Sequence, residues 1–107
     1  MAARLPAHIE ISGIIRSVEA AGGFATVLAK GEKDAGTLLV VCVANGEPAK
    51  LYERMPQLDG SRRFEVTRTE VTENRREFSE YLARRRQQDS DIWIVELDIA
   101  DGERFID

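Results

Sequence analysis

The run Thr37–Ala44 constrains the fold most tightly, because it holds eight consecutive residues without a charge. Its apolar side chains fall at both odd and even positions, so a strand here is apolar on both faces. The run is too short to span a membrane. Its β-branched residues, with Gly36 before it and Asn45-Gly46 after it, favour a strand over a buried helix. We therefore predict a central strand that is covered on both sides.

The composition is that of an ordinary soluble protein, with 107 residues, 43% apolar and 32% charged. This length suits one core, so we expect a single α+β domain over residues 1–107. The single cysteine, Cys42, excludes an internal disulfide. Together with the absence of a signal-like segment or a run of about 20 apolar residues, it predicts a cytoplasmic protein with no membrane span.

A first helix is predicted over about residues 7–22, because apolar residues recur at helical spacing from Ile11 to Val18. Gly22 can end it in the left-handed conformation. Ile9 and Ile11 also alternate as in a strand, and Gly13 costs a helix about 1 kcal/mol relative to alanine. Close packing of Gly13 against the sheet, or a conformational use, would explain that glycine.

Two hairpins are predicted around the central strand. Phe24–Lys30 reads as a strand that turns through Gly31–Gly36 into the central one. Asn45-Gly46 then leads into a third strand over 49–55, since both residues tolerate positive φ. In that strand, alternation places Leu51 inward and Tyr52 on a wet face.

The second half of the chain predicts a strand, a helix and a strand. Arg63–Thr69 alternates, with Phe64 and Val66 facing inward, and Thr72 is placed to cap a helix of about 73–88. That helix has a narrow apolar stripe of Phe78, Tyr81 and Leu82.

Ile92–Ile99 is the fifth predicted strand, apolar on both faces in its first half and alternating from Glu96 onward. Phe105 and Ile106 are expected to fold back over the core. The order α-β-β-β-β-α-β predicts an α+β fold in which an antiparallel β-meander of about five strands packs with two helices in two layers. The position of the fifth strand in the sheet stays open.

Three stretches together resemble a family of small bacterial proteins known only as a domain of unknown function. They are Ile14-Ile15-Arg16 with Glu19-Ala-Ala-Gly22, then Phe24 to Gly31 running through Asp34-Ala-Gly36, and finally Asp91-Ile-Trp-Ile-Val-Glu96. These motifs are turns and core strands. The resemblance implies a fold and a bacterial origin, and it transfers no catalytic residue.

No catalytic, cofactor or metal residue is predicted. His8 is the only histidine and is expected to be exposed without a role. Cys42 lies within the apolar strand, where burial disfavours the thiolate. The turn Gly31–Gly36 carries two carboxylates, but it fits neither a calcium loop nor a phosphate loop.

Arginines are the strongest signal that the core does not explain, since their planar forks bind carboxylate or phosphate. Three interpretations stay open: internal pairing, chiefly with the acidic residues 87–107, a protein partner, and nucleic acid through Arg62–Arg86. The chain's net charge is −4, and the arginines are not accompanied by a nucleic-acid-binding motif that carries aromatic residues. Neither feature favours nucleic acid as the partner. The candidate partner contacts are Tyr52, Arg75, Arg76, Arg84, Arg85 and Arg86.

The function predicted from these residues is that of a non-enzymatic protein-interaction or self-associating module. A homodimer is one form that such self-association would take. A weak nucleic-acid binder is the first alternative. An enzyme that uses only carboxylates and arginines is the second, because such sites have no signature spacing. The sequence does not indicate a small-molecule ligand.

Overall fold

The structure is a computed structural model that describes residues 5–106. The rest of the predicted domain, Met1–Arg4 and Asp107, lies outside the described residues. Two helices and five strands follow in the predicted order, which confirms the α+β class. The elements are α1 (Ala7–Ala20), β1 (Phe24–Ala29), β2 (Leu38–Val43), β3 (Lys50–Pro56), β4 (Arg62–Thr69), α2 (Arg75–Gln88), β5 (Trp93–Asp98) and a short 3-10 helix (Gly102–Phe105).

β2 is the middle strand of the sheet, as its apolar run predicts. The strands lie in the order β1-β5-β2-β3-β4. Leu38, Val40 and Cys42 face one core cluster. Leu39 and Val41 face a second cluster on the opposite side of the sheet. Both faces of β2 are therefore buried.

The predicted hairpin between β1 and β2 is wrong, because β5 lies between them. β5 runs parallel to β2, with Leu39 opposite Ile94, and antiparallel to β1, with Phe24 opposite Asp98. The sheet is thus mixed rather than an antiparallel meander. The physical reason is that the start of β5 is also apolar on both faces, so it belongs in the covered centre of the sheet rather than at its edge.

Gly31 and Gly36 belong to a crossover rather than to a hairpin turn. This loop carries the chain from β1 across the start of β5 to β2. A Cβ on Gly31 would lie 2.1 Å from the carbonyl oxygen of Asp91, and one on Gly36 would lie 2.4 Å from the same atom. Both glycines are needed for close approach. The Trp93 indole N–H also donates to the Glu32 carbonyl across this crossing, at 2.6 Å.

The crossover loop also holds the start of α1. The backbone N–H groups of Ala7 and His8 donate to the carbonyl oxygens of Asp34 and Lys33, at 2.9 and 3.0 Å. The first N–H groups of a helix lack partners within the helix, so these bonds replace a side-chain cap. His8 lies in α1 and is only partly exposed, with Nδ1 3.0 Å from the Lys33 oxygen, which corrects the prediction of an exposed, idle histidine.

The two helices cover opposite faces of the sheet. Ile11, Ile14 and Val18 of α1 pack with the Trp93 face of β5. Phe78 of α2 is buried on the other face, where Tyr81 and Leu82 pack against the same cluster and confirm the predicted stripe. The layers are therefore helix, sheet and helix rather than the two predicted. A central strand that is apolar on both faces requires a cover on each side.

Several local predictions hold and two change. The Asn45-Gly46 turn does join antiparallel β2 and β3, with Gly46 at φ +80. Ile106 is buried, as predicted for the returning C-terminus. The cap of α2 is Asn74 rather than Thr72, because the Asn74 side chain accepts from the Glu77 N–H. Val66 is 45% exposed rather than inward, since β4 is an edge strand.

No helix between residues 5 and 106 is long and apolar enough to span a bilayer.

Gly31→Ala and Gly13→Ala should shift stability in opposite directions. The first alanine collides with the Asp91 backbone, so the free energy of unfolding should fall by about 1–3 kcal/mol. Gly13 is exposed within α1 with no atom within 4 Å of an added Cβ. That alanine should raise the free energy by about 0.5–1 kcal/mol. Urea unfolding measures both changes, and a neutral Gly31→Ala would contradict the close crossing.

Cys42 should resist a bulky maleimide in the folded protein and react when the protein is unfolded. The thiol is buried. Burial, and secondarily the negative charge of Glu103, raises its pKa to about 12. Near neutral pH the reactive thiolate is therefore scarce in the folded state. Mass spectrometry after timed labelling with and without urea measures this, and equal rates in the two states would show that the thiol is accessible.

Candidate functional site

Tyr52, a predicted contact residue, is 8% exposed and packs in the core on the α1 face of the sheet. The prediction of a wet face for β3 is therefore wrong. β3 lies between β2 and β4, and at Leu51 and Tyr52 it is buried on both faces, while the rest of the strand is partly or fully exposed. Leu51 points into the α2-side cluster while Tyr52 points into the α1-side cluster. Next to them, the guanidinium of Arg54 forms an ion pair with Glu10 of α1.

Within Arg84–Arg86, Arg85 is the arginine that forms side-chain hydrogen bonds with other parts of the fold. Its Nη1 donates to Glu53 of β3 at 2.8 Å and to the Tyr81 hydroxyl at 2.9 Å. Burial alone would lower the pKa of Arg85, but these two hydrogen bonds outweigh burial and raise it. Arg68 of β4 similarly pairs with Glu77 at 3.2 Å. Among residues 5–106 no arginine pairs with the acidic segment after residue 87, so that predicted pairing is wrong.

The other predicted arginines do not form one patch. Arg75 stands at the first turn of α2, in an open cleft of about 610 Å3 beyond the ends of β2 and β5. Arg76 is exposed on the same turn. Arg84 lies at the far end of the helix, with its guanidinium 5.9 Å from the centre of the Tyr81 ring. Arg86 lines a separate, mostly apolar cleft.

The surface that contains Arg86 is the most unusual feature of the molecule. β1 pairs with β5 on one side only, so its other side presents unpaired backbone N–H and C=O groups. The side chains along this strand are apolar and exposed: Phe24 by 70%, Val27 by 41% and Leu28 by 42%. Leu28 continues into a cleft of about 230 Å3 that Leu82 and Arg86 of α2 line on their side. We call these five residues the β1 edge surface.

β4, at the opposite edge of the sheet, looks different. Along its eight residues it carries two arginines at the start, a glutamate in the middle and Arg68 near the end. Charged side chains on an edge strand oppose pairing with another chain. β1 has no charged residue within Phe24–Ala29. The molecule thus protects one edge of its sheet with charge and leaves the other apolar.

Charges of opposite sign lie at the two ends of the β1 edge surface. Arg86 stands above the Leu28 end, on the α2 side of the sheet. Asp98 lies opposite Phe24 at the other end of β1, and Glu96 lies opposite Thr26 in the middle of the strand. Both carboxylates alternate with the α1-side Leu97, so they lie on the same side of the sheet as Arg86. None of these three charges forms an ion pair with another described residue.

Of the five residues of the β1 edge surface only Arg86 is a predicted contact, although the sequence carries a signal for the surface. Phe24–Lys30 is predicted as the first strand of a hairpin, which concerns only one of its two edges. The uncharged stretch from Phe24 to Ala29 is that signal. Elsewhere between residues 5 and 106, no group of three histidine, cysteine or carboxylate side chains is placed to hold a metal ion.

Comparison with known proteins shows relatives that share the whole fold. The crystal structure of a DUF1491 family protein from Caulobacter crescentus is 32% identical, with a TM-score of 0.82, and the match covers 96% of this chain and 95% of that one. The solution structure of a protein from A. tumefaciens is 33% identical, with a TM-score of 0.77, over 97% of this chain and 93% of that one. No curated protein matches the sequence.

The model of a family described as "Protein of unknown function (DUF1491)" matches residues 5–107. The match includes every helix and strand of the fold. The chain therefore belongs to the DUF1491 family.

Proposed function

We propose that this protein is a non-enzymatic interaction module that self-associates by pairing the β1 strands of two copies. The observation that carries this proposal is the contrast between the two sheet edges, one charged and one apolar. An exposed, uncharged edge strand is a template for a further strand. Pairing would cover Phe24 and Val27 and would satisfy the unpaired backbone groups of β1.

The arrangement of charge favours a second copy over an unrelated strand. Two antiparallel β1 strands related by a two-fold axis perpendicular to the sheet keep both α2 helices on the same side. The Leu28 end of each strand then meets the Phe24 end of the other. Arg86 of each copy comes near Asp98 and Glu96 of the other, so two sets of opposite charges face each other across the junction.

The strand itself is compatible with this symmetry. A pairing centred on Thr26 places no charged residues opposite one another, because Phe24–Leu28 contains none. It sets Ala25 of each copy opposite Val27 of the other on the α1 side of the sheet, and Phe24 opposite Leu28, which lines the cleft beside α2. Six residues and one helix flank form a small interface, so we expect a dimer that dissociates at about micromolar concentration.

The nucleic-acid alternative rests on the arginines of Arg62–Arg86. Arg68 and Arg85 in that range are neutralised by Glu77 and Glu53. The remaining ones lie at both ends of α2 and on β4, which does not form a continuous basic track. The enzyme alternative has no observation in its favour beyond the open cleft at Arg75. We therefore make both alternatives outcomes of the test below.

Val27→Lys should weaken self-association about tenfold or more, because it places two lysines close to the two-fold axis and charges the edge strand. Val66→Lys is the matched control. Val66 is also an exposed valine on an edge strand, 45% exposed against 41% for Val27. Sedimentation velocity over a concentration series measures the dimer. Wild type and Val66→Lys should dimerise with equal affinity, and a monomeric wild type would contradict the proposal.

A charge reversal tests the choice of a second copy. Arg86→Glu should weaken the dimer by apposing like charges, and adding Asp98→Arg to the same chain should restore much of the affinity. If Val27→Lys acts but neither charge change does, the strand pairs in another geometry or with another protein. Salt-dependent binding of random oligonucleotides by the wild type would instead favour the nucleic-acid alternative.

A further inference from the structure

The cleft of the β1 edge surface has the size and the lining of a pocket for one aromatic ring. Its volume is about 230 Å3, and it lies between the sheet and α2. Leu28 and Ile94 line it from the sheet, while Leu82 and Ala83 line it from the helix. A cavity of about 150 Å3 with similar aliphatic walls takes up benzene. A phenyl ring therefore fits this cleft in both volume and chemistry.

Phe24 is the aromatic side chain of this surface, and it lacks a cover. It is 70% exposed, whereas every other aromatic residue of the chain is buried or half-buried. Its backbone is held closely against β5, because Phe24 pairs with Asp98. A Cβ on the preceding Gly23 would lie 2.7 Å from the Cβ of Ile99. An aromatic ring has few rotatable bonds, so its burial by a partner costs little conformational entropy.

Phe24 cannot reach the cleft of its own copy. Leu28 lines the cleft four residues further along β1, which is a distance of about 13 Å. Ala25 packs with the α1-side cluster, so alternation places Phe24 on the α2 side, where the cleft opens. In an antiparallel pair of β1 strands centred on Thr26, Phe24 of one copy lies opposite Leu28 of the other. The ring then stands at the mouth of the other copy's cleft.

Arg86 offers a second contact to the same ring. Among the described residues that line the cleft, only Arg86 is charged. Guanidinium groups stack on aromatic rings elsewhere in this fold, as where Arg54 lies 4.6 Å from the centre of the Phe64 ring. A guanidinium can stack through its flat face and still donate from its edge. Arg86 can therefore cover the ring of Phe24 and pair with Asp98 of the same second copy.

We propose that Phe24 of each copy inserts into the cleft between β1 and α2 of the other copy. The inference rests on the proposed self-association and names the residue that anchors it. The interface then contains two identical contacts of a ring with a pocket, related by the two-fold axis. In such interfaces a few buried side chains supply most of the affinity. Strand pairing sets the geometry of the dimer, and the two rings supply most of its stability.

Phe24→Ala should raise the dissociation constant of the dimer about a hundredfold, because it removes two anchors that each contribute about tenfold or more. Leu58→Ala is the matched control. Leu58 is a fully exposed apolar residue in the turn between β3 and β4, away from the β1 edge surface. This control should dimerise as wild type does. Sedimentation velocity over a concentration series measures the three dissociation constants.

Ala83→Phe tests the cleft from its other wall. Ala83 is exposed on α2, so the new ring can occupy the cleft without disturbing the core. It should weaken the dimer about tenfold or more, since Phe24 of the other copy no longer has room. In the double variant Phe24→Ala and Ala83→Phe, the ring that fills the cleft faces a small residue. Its dimer should therefore be tighter than that of Phe24→Ala alone.

The inference and the proposed self-association fail in different ways. If wild type dimerises and either Phe24→Ala or Ala83→Phe keeps the wild-type affinity, the inference is overturned while self-association stands. A double variant that is weaker than both single variants also overturns the inference, because the ring and the cleft would then act independently. A monomeric wild type overturns both.

Discussion

The parallel pairing of β2 with β5 is the contact on which the rest of the molecule depends. Both strands are apolar on both faces over the first part of their shared length, from Leu38 opposite Trp93 to Val40 opposite Val95. Side by side, they bury four apolar surfaces that an edge position would expose. This placement requires a cover on each face, which α1 and α2 supply. It also obliges the chain after β1 to cross the start of β5, at a spacing that only glycine allows.

The same placement accounts for where the candidate functional surfaces lie. Since β5 occupies the position beside β2, β1 is displaced to the edge of the sheet, with Phe24 and Val27 uncovered. The proposed dimer surface is thus a consequence of one topological choice.

Much of this fold could be predicted from periodicity. The uncharged run identified β2, the spacing of Ile11 and Val18 identified α1, and Asn45-Gly46 identified a hairpin. The position of β5 could not be read, because Gly31 and Gly36 bracket a loop whose composition suits a hairpin as well as a close crossing. A sequence does not distinguish a glycine that is needed for a positive φ from a glycine that is needed because it has no Cβ. Only the neighbour in space, here Asp91, distinguishes them.

The candidate sites were harder to predict for a related reason. Tyr52 sits in a pattern that alternates with Leu51, and alternation indicates a wet face only when one side of the sheet is open. Here both sides are covered at Leu51 and Tyr52. The cluster Arg84–Arg86 was conspicuous in the sequence, but its members point to different neighbours on successive positions of a helix. Arg85 reaches Glu53, and Arg86 reaches the β1 edge surface.

Amide hydrogen exchange tests the central role of the β2–β5 pair most directly. The amides of Leu39, Val41 and Val95 should exchange only through global unfolding, with free energies equal to that from urea denaturation. Amides along β1 should open locally at lower free energy. The account is contradicted if the β5 amides exchange at free energies well below those of β2, because β5 would then be a peripheral strand rather than half of the core pair.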